Sequence, residues 1–209
     1  KISAEFPLSN NSYDKDNPKI FLRSNSMVQS DHPAIKNIAN SLTAGSVDDS
    51  EKAKKCFDWV VDYLEYANPI RGLYSSVQAL TDRKVDCGGF STLLTVLLRA
   101  SKMPARCIFG WAVRSKYGYH AWMEFFDSKK SAWIPCDPSV AHLGNRTKLE
   151  AGFGFINDER IVFSVGEDLN LIGDNFKWNV PLLQSPVVVP VDKRSIPRRF
   201  IEKLTWSIG

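Results

Sequence analysis

Apolar residues recur along this chain with two different periods, and the change falls near residue 104. From Pro33 to Thr43, Ile35, Ile38, Ala39 and Leu42 keep helical spacing, and Gly45 stands where a helix is expected to stop. Asp48, Asp49 and Ser50 offer caps for a second helix whose stripe is Ala53, Cys56, Phe57, Val60, Val61 and Leu64, with Asn68-Pro69 as its expected end. A short helical stretch is expected around Val77 to Leu80. A third helix should run from Cys87 to about Ser101, and Phe90, Leu93, Leu94, Val96, Leu97, Leu98 and Ala100 give it an apolar surface wide enough for burial on most sides. Met103-Pro104 stops it.

Beyond that point the period is two. Arg106 to Val113, Tyr119 to Phe126 and Ala132 to Asp137 read as strands, with later ones at Arg160–Val165 and Pro186–Val191. Helices followed by strands with short reversals predict an α+β fold on an antiparallel sheet, not a doubly wound parallel one. The chain divides into a polar, extended arm over 1–32, one domain over 33–191, and a tail over 192–209. In the tail Lys193, Arg194, Arg198, Arg199 and Lys203 outnumber Asp192 and Glu202.

Composition narrows the classes. With 44% hydrophobic and 24% charged residues the chain is an ordinary folding sequence, which excludes intrinsic disorder. No stretch approaches the roughly 18 apolar residues of a membrane span. A net charge of +4, dispersed outside the tail, gives no footprint for nucleic acid. Cys56, Cys87, Cys107 and Cys136 contain no Cys-x-x-Cys pair, which argues against zinc ribbons and thioredoxin-like chemistry. No metal or other cofactor is expected. The first residue is Lys1 rather than Met, so a trimmed leader and an extracytoplasmic location are expected over a cytoplasmic one. Nothing in the pattern addresses oligomeric state.

Candidate chemistry begins at Cys87. It opens the buried helix, where a partial positive charge and free N–H groups favour a thiolate. Gly88 and Gly89 would let a substrate backbone approach. Asp86 opposes the thiolate unless its carboxylate caps the helix. For an arbitrary cysteine a buried, inert thiol is the commoner case.

His120 supplies the second group. Pairing the strands around Tyr119–Phe126 and Ala132–Asp137 as a hairpin with Ser128-Lys129 at its tip sets His120 opposite Asp137 and Met123 opposite Ile134. One face is then Ala121, Met123, Phe125, Ala132, Ile134 and Cys136. The other is His120, Trp122, Glu124, Phe126, Ser131, Trp133, Pro135 and Asp137. A one-residue slip would mix the faces. A thiol, an imidazole to take its proton and a carboxylate to orient the imidazole form a nucleophilic triad in the order Cys87, His120, Asp137.

Three blocks resemble the transglutaminase-like superfamily. They are Asp86-Cys87-Gly88-Gly89-Phe90-Ser91 running through Leu98-Arg99-Ala100 to Met103-Pro104-Ala105-Arg106, then Tyr119-His120-Ala121-Trp122, then Trp133-Ile134-Pro135-Cys136-Asp137-Pro138-Ser139. Val85 and Lys102 stand where the family usually has glycine. The resemblance implies a papain-like fold with Cys87 at the head of a buried helix packed on a sheet that carries His120 and Asp137. It implies a thioester acyl-enzyme formed from a peptide or carboxamide, resolved by water in a protease or amidase, or by an amine in a transglutaminase. The expected partner is therefore a protein or peptide substrate. By analogy with papain-like enzymes the Cys87 backbone N–H and Gln78 would stabilise the oxyanion, with Tyr74 next in line, while Tyr74, Gly88, Tyr119 and Trp122 would contact substrate. No acidic cluster resembles the calcium sites of the animal enzymes, and the zinc cysteine pairs of peptide N-glycanase are missing. The alternative is a peptide- or protein-binding domain that keeps the fold without turnover. A metal site built from Cys87, His120 and His142 lacks any common register.

Overall fold

The molecule is organised around one helix, α4, Cys87–Ala100, in which every residue from Gly89 to Arg99 is buried. The computed structural model describes residues 17–67, 74–113, 118–144, 152–156, 159–173 and 176–184. Before α4 come α1, Pro33–Thr43, α2, Asp49–Tyr63, and α3, Ser76–Asp82; α5, Pro138–Leu143, follows later. Two-residue strands β1, Glu65–Tyr66, and β2, Lys84–Val85, pair in parallel. The main sheet comprises β3, Ala105–Ala112, β4, Tyr119–Asp127, β5, Ala132–Cys136, and β6, Arg160–Val165, in the order β5-β4-β3-β6. All its neighbours are antiparallel. A separate hairpin joins β7, Leu169–Gly173, to β8, Phe176–Val180.

The apolar stripes fold as their spacing requires. Val60, Cys56, Ala39 and Ile35 reach zero exposure beneath α1 and α2, while Leu93, Leu94, Leu97 and Leu98 of α4 meet Ala121, Met123 and Phe125 of β4. Burying each such side chain is worth about 1.5–3 kcal/mol. The polar groups of α4 are satisfied inside the core: the Ser91 hydroxyl donates to the Cys87 carbonyl at 2.8 Å, and Thr92 donates to the carbonyls of Tyr74 and Gly89. Gly89 is there for packing. A Cβ at this position would lie 2.5 Å from Val85 Cβ, so α4 could not sit this close to β2 with any other residue.

Two expectations about boundaries are corrected. α2 ends at Tyr63, not at Asn68-Pro69, because Leu64 N–H closes back on the Val60 carbonyl and the next two residues are captured by β2. The β4–β5 hairpin pairs Met123 with Cys136, not with Ile134, and Asp127 with Ala132. The reason is the turn. Asp127 Oδ1 accepts from the N–H groups of both Lys129 and Lys130 at 3.0 Å, and Ser131 takes φ of 49°, which makes a four-residue connection instead of a two-residue tip. The shift is two residues, so the two faces survive and the individual partners do not.

Residues 17–32 are held to the domain. Val28 is fully buried, Ser76 N–H donates to the Met27 carbonyl at 2.8 Å, and Arg99 Nη1 donates to the Arg23 carbonyl at 2.9 Å. Arg99 also pairs at 2.5 Å with Glu167, both side chains being 2% exposed. Residues 1–16, the expected strand Pro186–Val191 and the basic tail lie outside the described residues.

Lys102, exposed in the turn between α4 and β3, has φ of 65°, a left-handed conformation costly for a residue with a Cβ. Replacing it should relieve that strain. Lys102→Gly is expected to raise stability by about 0.5–1 kcal/mol, the strain released less the entropy glycine costs. A urea midpoint that falls, or stays put at constant slope, would contradict this.

Candidate active site

Four elements converge at the head of α4. The Asp86 side chain caps the helix, its Oδ1 accepting from Gly88 N–H at 2.9 Å and Gly89 N–H at 3.2 Å. Burial pushes the Asp86 carboxyl up, against the pull of those two donors. Its charge is thus occupied in capping, as the thiolate reading requires. The Cys87 N–H, at the first helical position, has no acceptor within the helix.

The four cysteines divide sharply. Cys56, Cys107 and Cys136 are buried with zero exposure, and Cys87 is half-buried. Burial pushes the Cys56 thiol up to about 12 and the Cys136 thiol up to about 12. Cys107 is driven up by burial and by the charge of Glu167. Cys87 lines a cleft together with Met27, Tyr74, Gly88, Leu182 and Gln184.

His120 stands near the start of β4 with its side chain 13% exposed, and Asp137, just past β5, is wholly buried. His120 Nε2 and Asp137 Oδ2 are 2.6 Å apart. Because the hairpin register is shifted, the two residues are diagonal, not directly opposed, and Asp137 reaches back as the N-cap of α5. Its Oδ1 accepts from the Ser139 hydroxyl at 2.7 Å and the Val140 N–H at 3.1 Å. Its Oδ2 also meets Arg160 Nη2 at 2.9 Å. Burial raises the Asp137 carboxyl, but the charges of His120 and Arg160 and these hydrogen bonds outweigh it and hold the group below its usual value. For His120, burial opposes the cation. The Asp137 charge and hydrogen bond, and a hydrogen bond with Cys87, more than offset that and push the imidazole up to about 10. With Nε2 committed to Asp137, Nδ1 is the nitrogen left for the thiol.

The structure thus brings Cys87, His120 and Asp137 together. It also brings Tyr74 and Gly88 to the cleft. It does not bring Gln78 there. Gln78 is exposed, and its Oε1 accepts from Ser75 N–H at 3.0 Å in the capping box of α3. The local helix start explains this glutamine. Tyr119 is 38% exposed, stands edge-on to Trp111 and is not among the residues lining the cleft. Trp122 is 1% exposed, too deep to contact a substrate, and lies against the His120 ring. His142 donates from Nδ1 to the Val61 carbonyl at 2.9 Å, so it does not join Cys87 and His120. Among the described residues no group of three or more His, Cys, Asp or Glu is placed to hold a metal ion, and no helix is long and apolar enough to cross a membrane.

Sequence reasoning missed Arg160, Leu182 and Gln184. Arg160 carried only a strand assignment. Leu182 and Gln184 follow a hairpin whose short alternation gave no signal. Asp137-Pro138-Ser139 did carry a readable helix-start signal.

Residues 36–138 match the family model of the transglutaminase-like superfamily. No curated protein matches this chain in sequence. Among solved structures, a Cytophaga hutchinsonii protein provisionally named a cysteine protease is 23% identical over 73% of this chain and 48% of its own, with a TM-score of 0.58. The periplasmic domain of TgpA from Pseudomonas aeruginosa, bound to ethylmercury, is 19% identical over 61% of this chain and 50% of its own, with a TM-score of 0.47. Calcium-bound LapG of Legionella pneumophila is 14% identical over 81% and 90%, with a TM-score of 0.45. The chain spans about half the length of the first two.

Proposed function

This chain belongs to the transglutaminase-like superfamily, and from that premise we propose that it is a cysteine-dependent enzyme acting on peptide and carboxamide bonds. The observation that carries the reading is the continuous polar line from the half-buried Cys87 through His120 to the buried Asp137. The name of the Cytophaga protein, whose fold this chain shares, supports peptide bonds as the substrate class.

In this reading the Cys87 proton already rests on His120 Nδ1, the imidazole being held as the cation, and the sulfur attacks the carbonyl carbon as the thiolate. The carbonyl electron pair moves to oxygen, where the Cys87 N–H is one donor. Tyr74 is the second. Burial, then the charges of Asp86 and Asp82, push its phenol up, so it keeps its proton and can donate. As the C–N bond breaks, the leaving amine takes the proton from His120. Water then attacks the thioester, with His120 as base, and the thiolate departs. An amine entering in place of water gives transfer instead. Asp137 stays ionised throughout and holds the imidazolium. A second reading, peptide binding without turnover, is favoured by Leu182 and Gln184, which already line the cleft beside Cys87.

The test is a decapeptide pool incubated with and without dansylcadaverine, quenched in acid and read by mass spectrometry. Expected are cleaved or deamidated peptides, an acyl adduct on Cys87 that hydroxylamine removes, and none of these in Cys87→Ala. Dansylated products in excess of hydrolysis would assign transfer. Reduced, intact Cys87 with no adduct and no product would give the lead to the binding domain.

A further inference from the structure

Asp137 has one residue near it that the triad does not require. Arg160 opens β6, opposite Ala112 of β3, two places across the sheet from β4 and three from β5. Its side chain is 10% exposed. The guanidinium lies 5.4 Å from the centre of the Trp122 ring, and the same indole stacks on His120 at 6.1 Å with 24° between planes. One buried tryptophan therefore supports both cations. Between β4 and β6 the intervening residue on this face is Gly110, which pairs with both His120 and Val162. A Cβ there would stand 2.0 Å from the Ile161 carbonyl oxygen and 3.1 Å from Trp122, so only glycine admits this approach.

The guanidinium and the imidazole meet on one atom. Asp137 Oδ2 takes His120 Nε2 at 2.6 Å and Arg160 Nη2 at 2.9 Å, which keeps the two nitrogens within 5.5 Å of each other. Oδ1 is filled by Ser139 and Val140. Four donors thus cover the roughly four lone-pair sites of a carboxylate. Arg160 Nε is buried without a hydrogen-bond partner among the described residues. A guanidinium held only to satisfy its own donors would not be left so. Its position is explained by the charge it brings to Oδ2.

We propose that Arg160 is a positioning residue that acts through Asp137: by sharing Oδ2 it balances the buried carboxylate and limits how firmly Asp137 holds the proton on His120. The inference rests on the triad reading above. A carboxylate facing one imidazolium in a dry site would bind that proton too tightly for release to a leaving amine. A second cation on the same oxygen weakens the hold and repels the imidazolium directly. Removing it should therefore raise the His120 midpoint. The other titratable groups facing the imidazole are Asp86 and Cys87 at the head of α4. Along the same face the Arg106–Glu124 pair closes on itself at 2.7 Å, and Glu159 precedes Arg160 in the chain. None of these changes when Arg160 is replaced.

The test is the His120 titration by histidine ring NMR in a Cys87→Ala background. Losing the thiol removes one of the groups that raise the imidazole, which brings the midpoint into a workable range. The chain has three histidines, and His32→Gln and His142→Gln variants assign the signals. Arg160→Gln, which keeps a donor without charge, should raise the midpoint by about two units, given unit charges within 5.5 Å at an effective dielectric of about 20. Arg160→Lys should stay within a few tenths of the parent. An unchanged midpoint in Arg160→Gln, or Arg160→Lys moving as far as Arg160→Gln, overturns the proposal. So does loss of the fold in both variants, which would make Arg160 a structural residue only. The titration needs no turnover, so it fails independently of Cys87 acylation.

Discussion

At pH 6, iodoacetamide is expected to alkylate Cys87 more than about a thousandfold faster than Cys56, Cys107 or Cys136. Thiols with midpoints of about 12, as for Cys56 and Cys136, have a thiolate fraction on the order of 10⁻⁶ at that pH, and no surface through which the reagent can reach them. Cys87 is half-buried, opens the cleft and has an imidazole within hydrogen-bonding reach. His120→Ala removes the proton acceptor and should slow labelling on the order of 100-fold, the usual contribution of a positioned base. Peptide mass mapping after a brief exposure reads both effects. Equal labelling of the four cysteines, or a rate indifferent to His120, would mean that no poised thiol–imidazole pair exists.

Much of this site was legible because its parts sit on strongly patterned elements. The apolar run after Cys87 dictated a buried helix, and a buried helix start dictates where Cys87 lies and what Asp86 must cap. The strict alternation of β4 and β5 put His120 and Asp137 on one face, and that parity survived a register error of two residues. The error came from Asp127, whose side chain builds a longer turn that strand periodicity does not encode. Gln78 shows the converse. A glutamine upstream of the cysteine suits an oxyanion donor by analogy, but Ser75 three residues before it encodes a capping box, and the local motif claims the side chain. Arg160 was illegible. Its partner is 23 positions earlier, just past a strand three places across the sheet, and nothing in a strand's alternation says which end residue reaches a buried carboxylate.

Asp137→Ala and Asp137→Asn should separate catalysis from stability. Both are expected to lower turnover about 10³- to 10⁴-fold, because the imidazole loses the group that fixes its tautomer and balances its charge. Their effects on stability should differ. Alanine strands the buried Arg160 without its counter-charge and leaves the Ser139 hydroxyl and Val140 N–H without an acceptor, a loss of about 3–5 kcal/mol. Asparagine keeps an acceptor for the α5 cap and should cost less. The pH dependence follows from the two midpoints. Asp137 is held below its usual value, so its contribution is present above about pH 4 and lost as pH falls through its folded midpoint. His120 is raised to about 10, so its contribution is complete below its unperturbed value of about 6.5 and lost as pH rises through about 10. Thermal melts of the parent should therefore be highest between about pH 4 and 6.5 and decline toward pH 10. In Asp137→Asn the alkaline decline should flatten, since the neutral amide no longer favours imidazolium. A decline of equal slope in both proteins would show that the His120–Asp137 pair does not carry that part of the stability.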